Sequence, residues 1–275
     1  MNRIDPSDET RSRETRFHDG WALNQDLSRV RVREVFESPV AMENRFILRK
    51  MGPLQGKSVL DIGPGLGESS VYFAMQGAQV TVLDLSPRMV EFARRLARQF
   101  HVKIHGVVGS AEDLGERSRY DIVYAANLLH HLSDREAFFR QVHQALVPGG
   151  HFFSIDPLRY SPAINAYRRM ATKVRTEDER PLGFEDFALA HKYFVNAGHR
   201  EFWIFTQALF LKYFLVDGVH PNQDRYWKRI FNESPGSLWW WYPLRFADGF
   251  ATRLPLLRRL AWNMVLWGQK GIRPA

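Results

Sequence analysis

Residues 59–67 read VLDIGPGLG, and this stretch decides the fold. An apolar strand over Ser58 to Ile62 runs into Asp61-x-Gly63-x-Gly65-x-Gly67, and a helix follows. Seventeen residues beyond the last glycine, a second strand (Gln79 to Leu83) ends in Asp84, within VTVLDLS. Glycines let the backbone turn sharply and approach a ligand with no Cβ in the way. An acid at the end of the next strand is placed to accept hydrogen bonds from both hydroxyls of a ribose. The two features together form a nucleoside-binding arrangement.

The glycine spacing separates this loop from a dinucleotide site. A G-x-G-x-x-G fingerprint would put its third glycine at position 68, which is Glu68. Pro64 between the first two glycines fixes one φ and removes a donor. That suits a loop wrapped around a nucleoside better than one cradling a pyrophosphate with its amides. On these residues the chain resembles the class I S-adenosylmethionine-dependent methyltransferases, whose first motif is an acid-x-Gly-x-Gly-x-Gly after the first strand.

Outward from the loop, strands and helices alternate. Strands are expected at Ser58–Ile62, Gln79–Leu83, Lys103–Val108, Asp121–Ala126 and His151–Ile155, and helices at Glu68–Met75, Pro87–Phe100 and Asp134–Leu146. Ser86 is placed to cap the Pro87 helix, and Pro148-Gly149-Gly150 to stop the Asp134 helix. Such alternation argues for an α/β, doubly wound, parallel sheet with its ligand beyond the strands' carboxyl ends. Further on, Phe184–Phe194 reads as a helix, Glu201–Leu211 as a strand or a strand entering a helix, and Trp262–Gly268 as a closing strand. The resemblance implies a Rossmann-like, seven-stranded, mostly parallel sheet with an antiparallel last strand. It further implies helical insertions at Leu158–Gly183 and Gly218–Leu260. Upstream, residues 1 to about 16 read as disordered, and Val30–Met51 as a helix broken at Pro39. The expected organisation is an N-terminal tail with lid helices (1–50), a cofactor-binding core (51–157) and a substrate-binding half (158–275).

Composition bounds the function. The chain has 275 residues and no cysteine, which excludes disulfides and thiolate chemistry. The longest apolar run, Phe202 to Val216, is shorter than the roughly 20 residues of a spanning helix, and no secretory signal is visible. The expected location is the cytoplasm, with membrane association through a surface. The net charge is +8, and residues 199–275 carry 11 Lys/Arg, 5 Asp/Glu and seven of the eight tryptophans. A basic, aromatic region suits a nucleic acid, an anionic membrane surface or an acidic substrate. Adjacent Trp239, Trp240 and Trp241 cannot all point one way, so part of that run is expected to be exposed.

The resemblance is strongest over Lys57 to Pro157, and it points to the branch that includes the ubiquinone and menaquinone methyltransferases. It implies S-adenosylmethionine as cofactor, held by Asp61, Gly63, Pro64, Gly65, Gly67, Asp84, Leu85, Ala111, Glu112 (or Asp113) and Asn127. A hydroxyl or amine acceptor needs a base. His130 and His131, after the fourth strand, are candidates because imidazole titrates near neutrality; His18 is a third. Phe17, His18 and Trp21 are expected to line a lid. Trp21, Tyr167, Arg168, Arg175 and Arg180 are candidates for the acceptor side, where an arginine fork suits a carboxylate or phosphate. No His/Asp/Glu spacing suggests a metal. The expected acceptor is a small or lipid-like molecule. An RNA methyltransferase is an alternative, although AANLLHH (125–131) lacks the Asn/Asp-Pro-Pro-aromatic motif of enzymes acting on base amines. A non-catalytic cofactor-binding or membrane-surface adaptor is another.

Overall fold

The computed structural model describes residues 6–176 and 179–272. Its centre is one seven-stranded sheet. The strands are β1 (Ser58–Ile62), β2 (Gln79–Asp84), β3 (Ile104–Val108), β4 (Tyr120–Ala126), β5 (Leu146–Pro157), β6 (Val195–Phe202) and β7 (Asn263–Gln269). Their spatial order is β3-β2-β1-β4-β5-β7-β6. β7 runs antiparallel to both neighbours, and every other pairing is parallel. The expected α/β sheet with an antiparallel last strand is therefore observed. Strand order reverses between β1 and β4, and ligands bind beyond the carboxyl ends at such a point.

Alternation along each strand divides the core. Val59, Val82, Tyr124 and Phe153 face one side, while Leu60, Ile62, Val123 and Phe152 face the other. Both sides are apolar because both are covered, as a mostly parallel sheet requires.

In chain order the helices are α1 (Pro6–Leu23), α2 (Glu34–Glu37), α3 (Met42–Met51), α4 (Glu68–Met75), α5 (Pro87–Gln99) and α6 (Arg135–Ala145), then α7 (Pro162–Met170), α8 (Phe184–His191), α9 (Ala208–Leu215), α10 (Tyr226–Arg229) and α11 (Trp241–Ala251). α5 forms as its pattern predicts. Ser86 Oγ accepts from the Met89 amide at 3.1 Å, and Met89, Val90, Phe92, Ala93, Leu96 and Ala97 are buried.

Several boundaries differ from expectation. The segment read as disordered is helical from Pro6 onward, while residues 1–5 lie outside the described part. This segment has no apolar stripe to betray a helix; instead Arg11 and Glu14 reach partners far along the chain, Glu112, His131 and Thr176. Before Pro39 the expected helix shrinks to α2, and it resumes as α3. α6 stops at Ala145, and Pro148-Gly149-Gly150 lies inside β5, where Gly149 takes φ 79° and donates its amide to Lys270 O. α8 ends at His191, and the following strand is Val195–Phe202 instead of starting at Glu201. β6 is an edge strand with mostly polar, half-exposed residues, so its sequence lacks the apolar run of an inner strand.

Candidate active site

A cavity of about 310 Å³ lies at the carboxyl ends of the central strands. Its floor is built by the β1–α4 turn. Gly63 (φ 63°) and Gly65 (φ 57°) take left-handed conformations that favour glycine. A Cβ at Gly63 would come within 2.9 Å of Leu128, and one at Gly65 would lie 3.9 Å from the Trp21 ring. Gly63, Pro64 and Gly65 line the cavity, but Gly67 does not. Gly67 serves packing: its missing Cβ would lie 2.7 Å from the Ala93 Cβ on α5.

The two aspartates of the motif separate in the same way. Asp84 lines the cavity, and its Oδ1 accepts from the Ser86 amide at 2.8 Å. Its Oδ2 accepts no hydrogen bond among the described residues, so it can receive a sugar's hydroxyls. Burial raises its pKa, opposed by the Ser86 amide. Asp61 lies beneath the loop, where its Oδ2 accepts from the Ser69 and Ser70 hydroxyls at 2.5 and 2.6 Å. Burial lifts its pKa to about 6, with both serines opposing. Leu85, Ala111, Glu112 and Asn127 also line the cavity, whereas Asp113 does not. Glu112 has both oxygens engaged, by Arg11 and by the Asp134 amide, each at 2.8 Å.

The three histidines converge. His130 Nδ1 lies 2.8 Å from Asp156 Oδ1, both buried. Burial drives the His130 pKa well down, with His131 adding to the effect, and lifts Asp156 to about 8. This pair favours a neutral imidazole whose second nitrogen is left for a substrate. His131 Nδ1 lies 3.2 Å from Glu14 Oε1, and His18 Nε2 lies 3.4 Å from Glu14 Oε2. Burial alone would raise the Glu14 pKa, but its pairing with His131, His18 and Thr176 outweighs burial and holds it well below the carboxylate range. For His131, burial opposes the charge and Glu14 overcomes it, so the pKa rises. Although sequence spacing suggested no metal, possible ligand atoms of Glu14, His18 and His131 lie within 4.8 Å of one another, as do those of His130, His131 and Glu179. These carboxylates already pair with His131, His18, Thr176, Arg168 and Arg175.

The far end is aromatic, with Tyr167, Trp203, Phe210 and Trp262 lining it beside Glu43 and Asn263. Arg168 and Arg175 reach the cavity but turn to Glu179 Oε2 at 2.8 and 3.4 Å. Arg180 stays outside, donating to Leu132 O and Ser133 O. Phe17, His18 and Trp21 line the cavity from α1. Glu14, Glu43, Asp156 and Arg225 were missed by sequence reasoning. Only Asp156, an acid at a strand's carboxyl end, carried a local signal.

This geometry agrees with known proteins. Residues 59–150 match a family model described as a methyltransferase domain. Over 112 residues the chain is 38% identical to a ubiquinone biosynthesis O-methyltransferase of Xanthomonas oryzae pv. oryzae, covering 40% of this chain and 46% of that protein. A Vibrio atlanticus protein of the same name is 34% identical over 110 residues, covering 39% and 46%. The chain thus spans just under half the length of these relatives. Among solved structures, the YcgJ protein of Bacillus subtilis superposes with TM-score 0.56 at 16% identity, covering 85% of this chain and 100% of that one. A Haemonchus contortus phosphoethanolamine N-methyltransferase 2 gives TM-score 0.56 at 19% identity, covering 84% and 53%. Fold and matched segment define the class to which this part of the chain is similar: residues 59–150 match a methyltransferase domain, on a sheet of the same fold as solved methyltransferases. Within that class its core is similar to the ubiquinone O-methyltransferase branch.

Proposed function

We propose that this protein transfers a methyl group from S-adenosylmethionine to a small, lipid-like acceptor. The observation that carries this reading is one shared cavity lined by Asp84, bare glycine turns, aromatic rings and His130, whose Nδ1 meets the buried Asp156 behind it. The donor supplies an activated carbon and a good leaving group. Asp84 Oδ2 receives the ribose hydroxyls, Gly63 and Gly65 let the backbone close on the nucleoside, and Ala111 and Glu112 border the base. The chain's main work is alignment, and orientation alone can contribute up to about 7–11 kcal/mol. If the acceptor is a hydroxyl, His130 takes its proton on Nε2 while Asp156 fixes the ring through Nδ1. α1 closes the cavity against water. In this reading residues 51–157 bind the donor, while 1–50 and 158–275 shape the acceptor site. Calorimetry with S-adenosylhomocysteine tests it: micromolar binding is expected, and no heat from folded protein refutes it.

A second observation favours contact with an anionic membrane surface while the acceptor is collected. From Ser234 to Leu260 the sequence has four arginines and one carboxylate, Asp248. Asp248 is buried, accepting from the amides of Ile204, Phe205 and Thr206. On α11, Tyr242, Phe246 and Phe250 recur every four residues and are exposed, Phe246 at 85%. Trp239 is 75% exposed and Leu256 78%. Exposed apolar side chains in an arginine-rich segment fit the interfacial layer of anionic lipids. None of the described helices is long and apolar enough to cross a membrane. Co-sedimentation with phosphatidylglycerol vesicles should exceed that with phosphatidylcholine, and Phe246→Ser/Phe250→Ser should abolish it. Equal recovery with both lipids counts against this contact.

A further inference from the structure

Five Lys and Arg side chains line the cavity, and four of them face carboxylates. Arg11 pairs with Glu112, Arg168 and Arg175 share Glu179, and Lys228 meets Glu68. Arg225 is different. Among the described residues its guanidinium has neither a carboxylate partner nor a hydrogen-bond acceptor. It is held by rings instead, 3.8 Å from the Trp21 centroid, 5.7 Å from Trp227 and 5.8 Å from Phe17. Stacking steadies a cation, but it leaves the in-plane N–H donors of the fork unmatched. A guanidinium withdrawn from water without an anion is costly, and its planar fork matches a carboxylate with two parallel hydrogen bonds.

We propose that Arg225 is the seat of a carboxylate carried by a small molecule bound in this cavity. The inference rests on the donor-and-acceptor reading above. Arg225 lies outside the matched segment, between β6 and β7, and Trp21, on which it stacks, stands 3.9 Å from where a Cβ on Gly65 of the donor loop would lie. Burial lowers its pKa to about 10, against the pull of Tyr167 and Glu179, so it stays a cation at neutral pH. The carboxylate can be the amino-acid end of the donor or an acid on the acceptor, and the experiment separates the two.

Dissociation constants of S-adenosylhomocysteine and its decarboxylated analogue are measured by calorimetry on wild type, Arg225→Met and Arg225→Lys. If the seat serves the donor, wild type prefers the carboxylate form at least tenfold. Arg225→Met erases that preference, and Arg225→Lys keeps part of it. If it serves the acceptor, the donor pair shows no such dependence. Dodecanoate then binds at least tenfold tighter than dodecanol, again only with Arg225 present. A ring-stacking role alone would weaken both members of each pair equally in Arg225→Met. That result, or no Arg225-dependent preference in either pair, overturns the inference. Failure of wild type to bind either donor analogue sinks the methyl-transfer reading instead, and the dodecanoate pair then decides Arg225.

Discussion

Asp61 and Asp84 end neighbouring strands, yet only Asp84 meets the cavity. The difference is one of place: Asp61 lies beneath the loop with both serine hydroxyls on its Oδ2, whereas Asp84 lines the cavity with a single amide on its Oδ1. Asp84→Asn should therefore weaken donor binding by about 1.5–3 kcal/mol, roughly ten- to a hundredfold, on titration with S-adenosylhomocysteine. Asp156 gives a pH signature. Its folded pKa, about 8, is raised above the ordinary aspartate value of about 3.9. The folded state thus favours the protonated form, and stability falls as pH climbs between those values. Asp156→Asn cannot ionise, so its melting temperature should decline less than that of wild type from pH 4 to 8. Parallel curves would show that Asp156 keeps an ordinary pKa.

At the scale of elements, α1 is fastened by charged side chains as well as by Ala22 and Trp21 packed against Met89 and Phe92 of α5. Glu14 meets His131 and Thr176, Arg11 meets Glu112, and Asp19 accepts from Ser86 Oγ. His131 has a raised pKa, so its share of the fastening is complete below about 6.5 and is lost as pH rises through the raised value. Glu14 has a lowered pKa, so its share is present above about 4.3 and is lost only under strong acid. Hydrogen exchange across α1, corrected for intrinsic rate, should accelerate from pH 6 to 9, and Glu14→Gln should remove that dependence. The start of α4 gives a second prediction. Gly67 has φ 89° and an added Cβ would lie 2.9 Å from the Ala93 Cα, a backbone-attached atom that cannot swing away. Gly67→Ala should cost about 1–3 kcal/mol in chemical denaturation.

Across the whole molecule, what the sequence made legible was local. The turn after β1, the place of Asp84 at the end of β2 and the α5 cap depend on residues within a few dozen positions and formed as read, whereas Asp61 and Gly67, read as cofactor contacts, do not line the cavity. What stayed hidden depends on long separations: Glu14 with Thr176, Glu43 with Asn263, Lys228 with Glu68. No periodicity records such pairings, because each side chain alone resembles an ordinary surface residue. The core behaves as a unit on the same scale. Phe139 is fully buried among Phe138, Phe152 and Phe194, and Phe139→Ala should cost about 3–5 kcal/mol of unfolding free energy.

Trp241 backs directly onto Trp203 at 5.7 Å, and Trp203 lines the chamber. The outer helix and the ceiling of the reaction space are thus separated by a single indole layer. A displacement of that helix would shift the very wall against which an occupant rests.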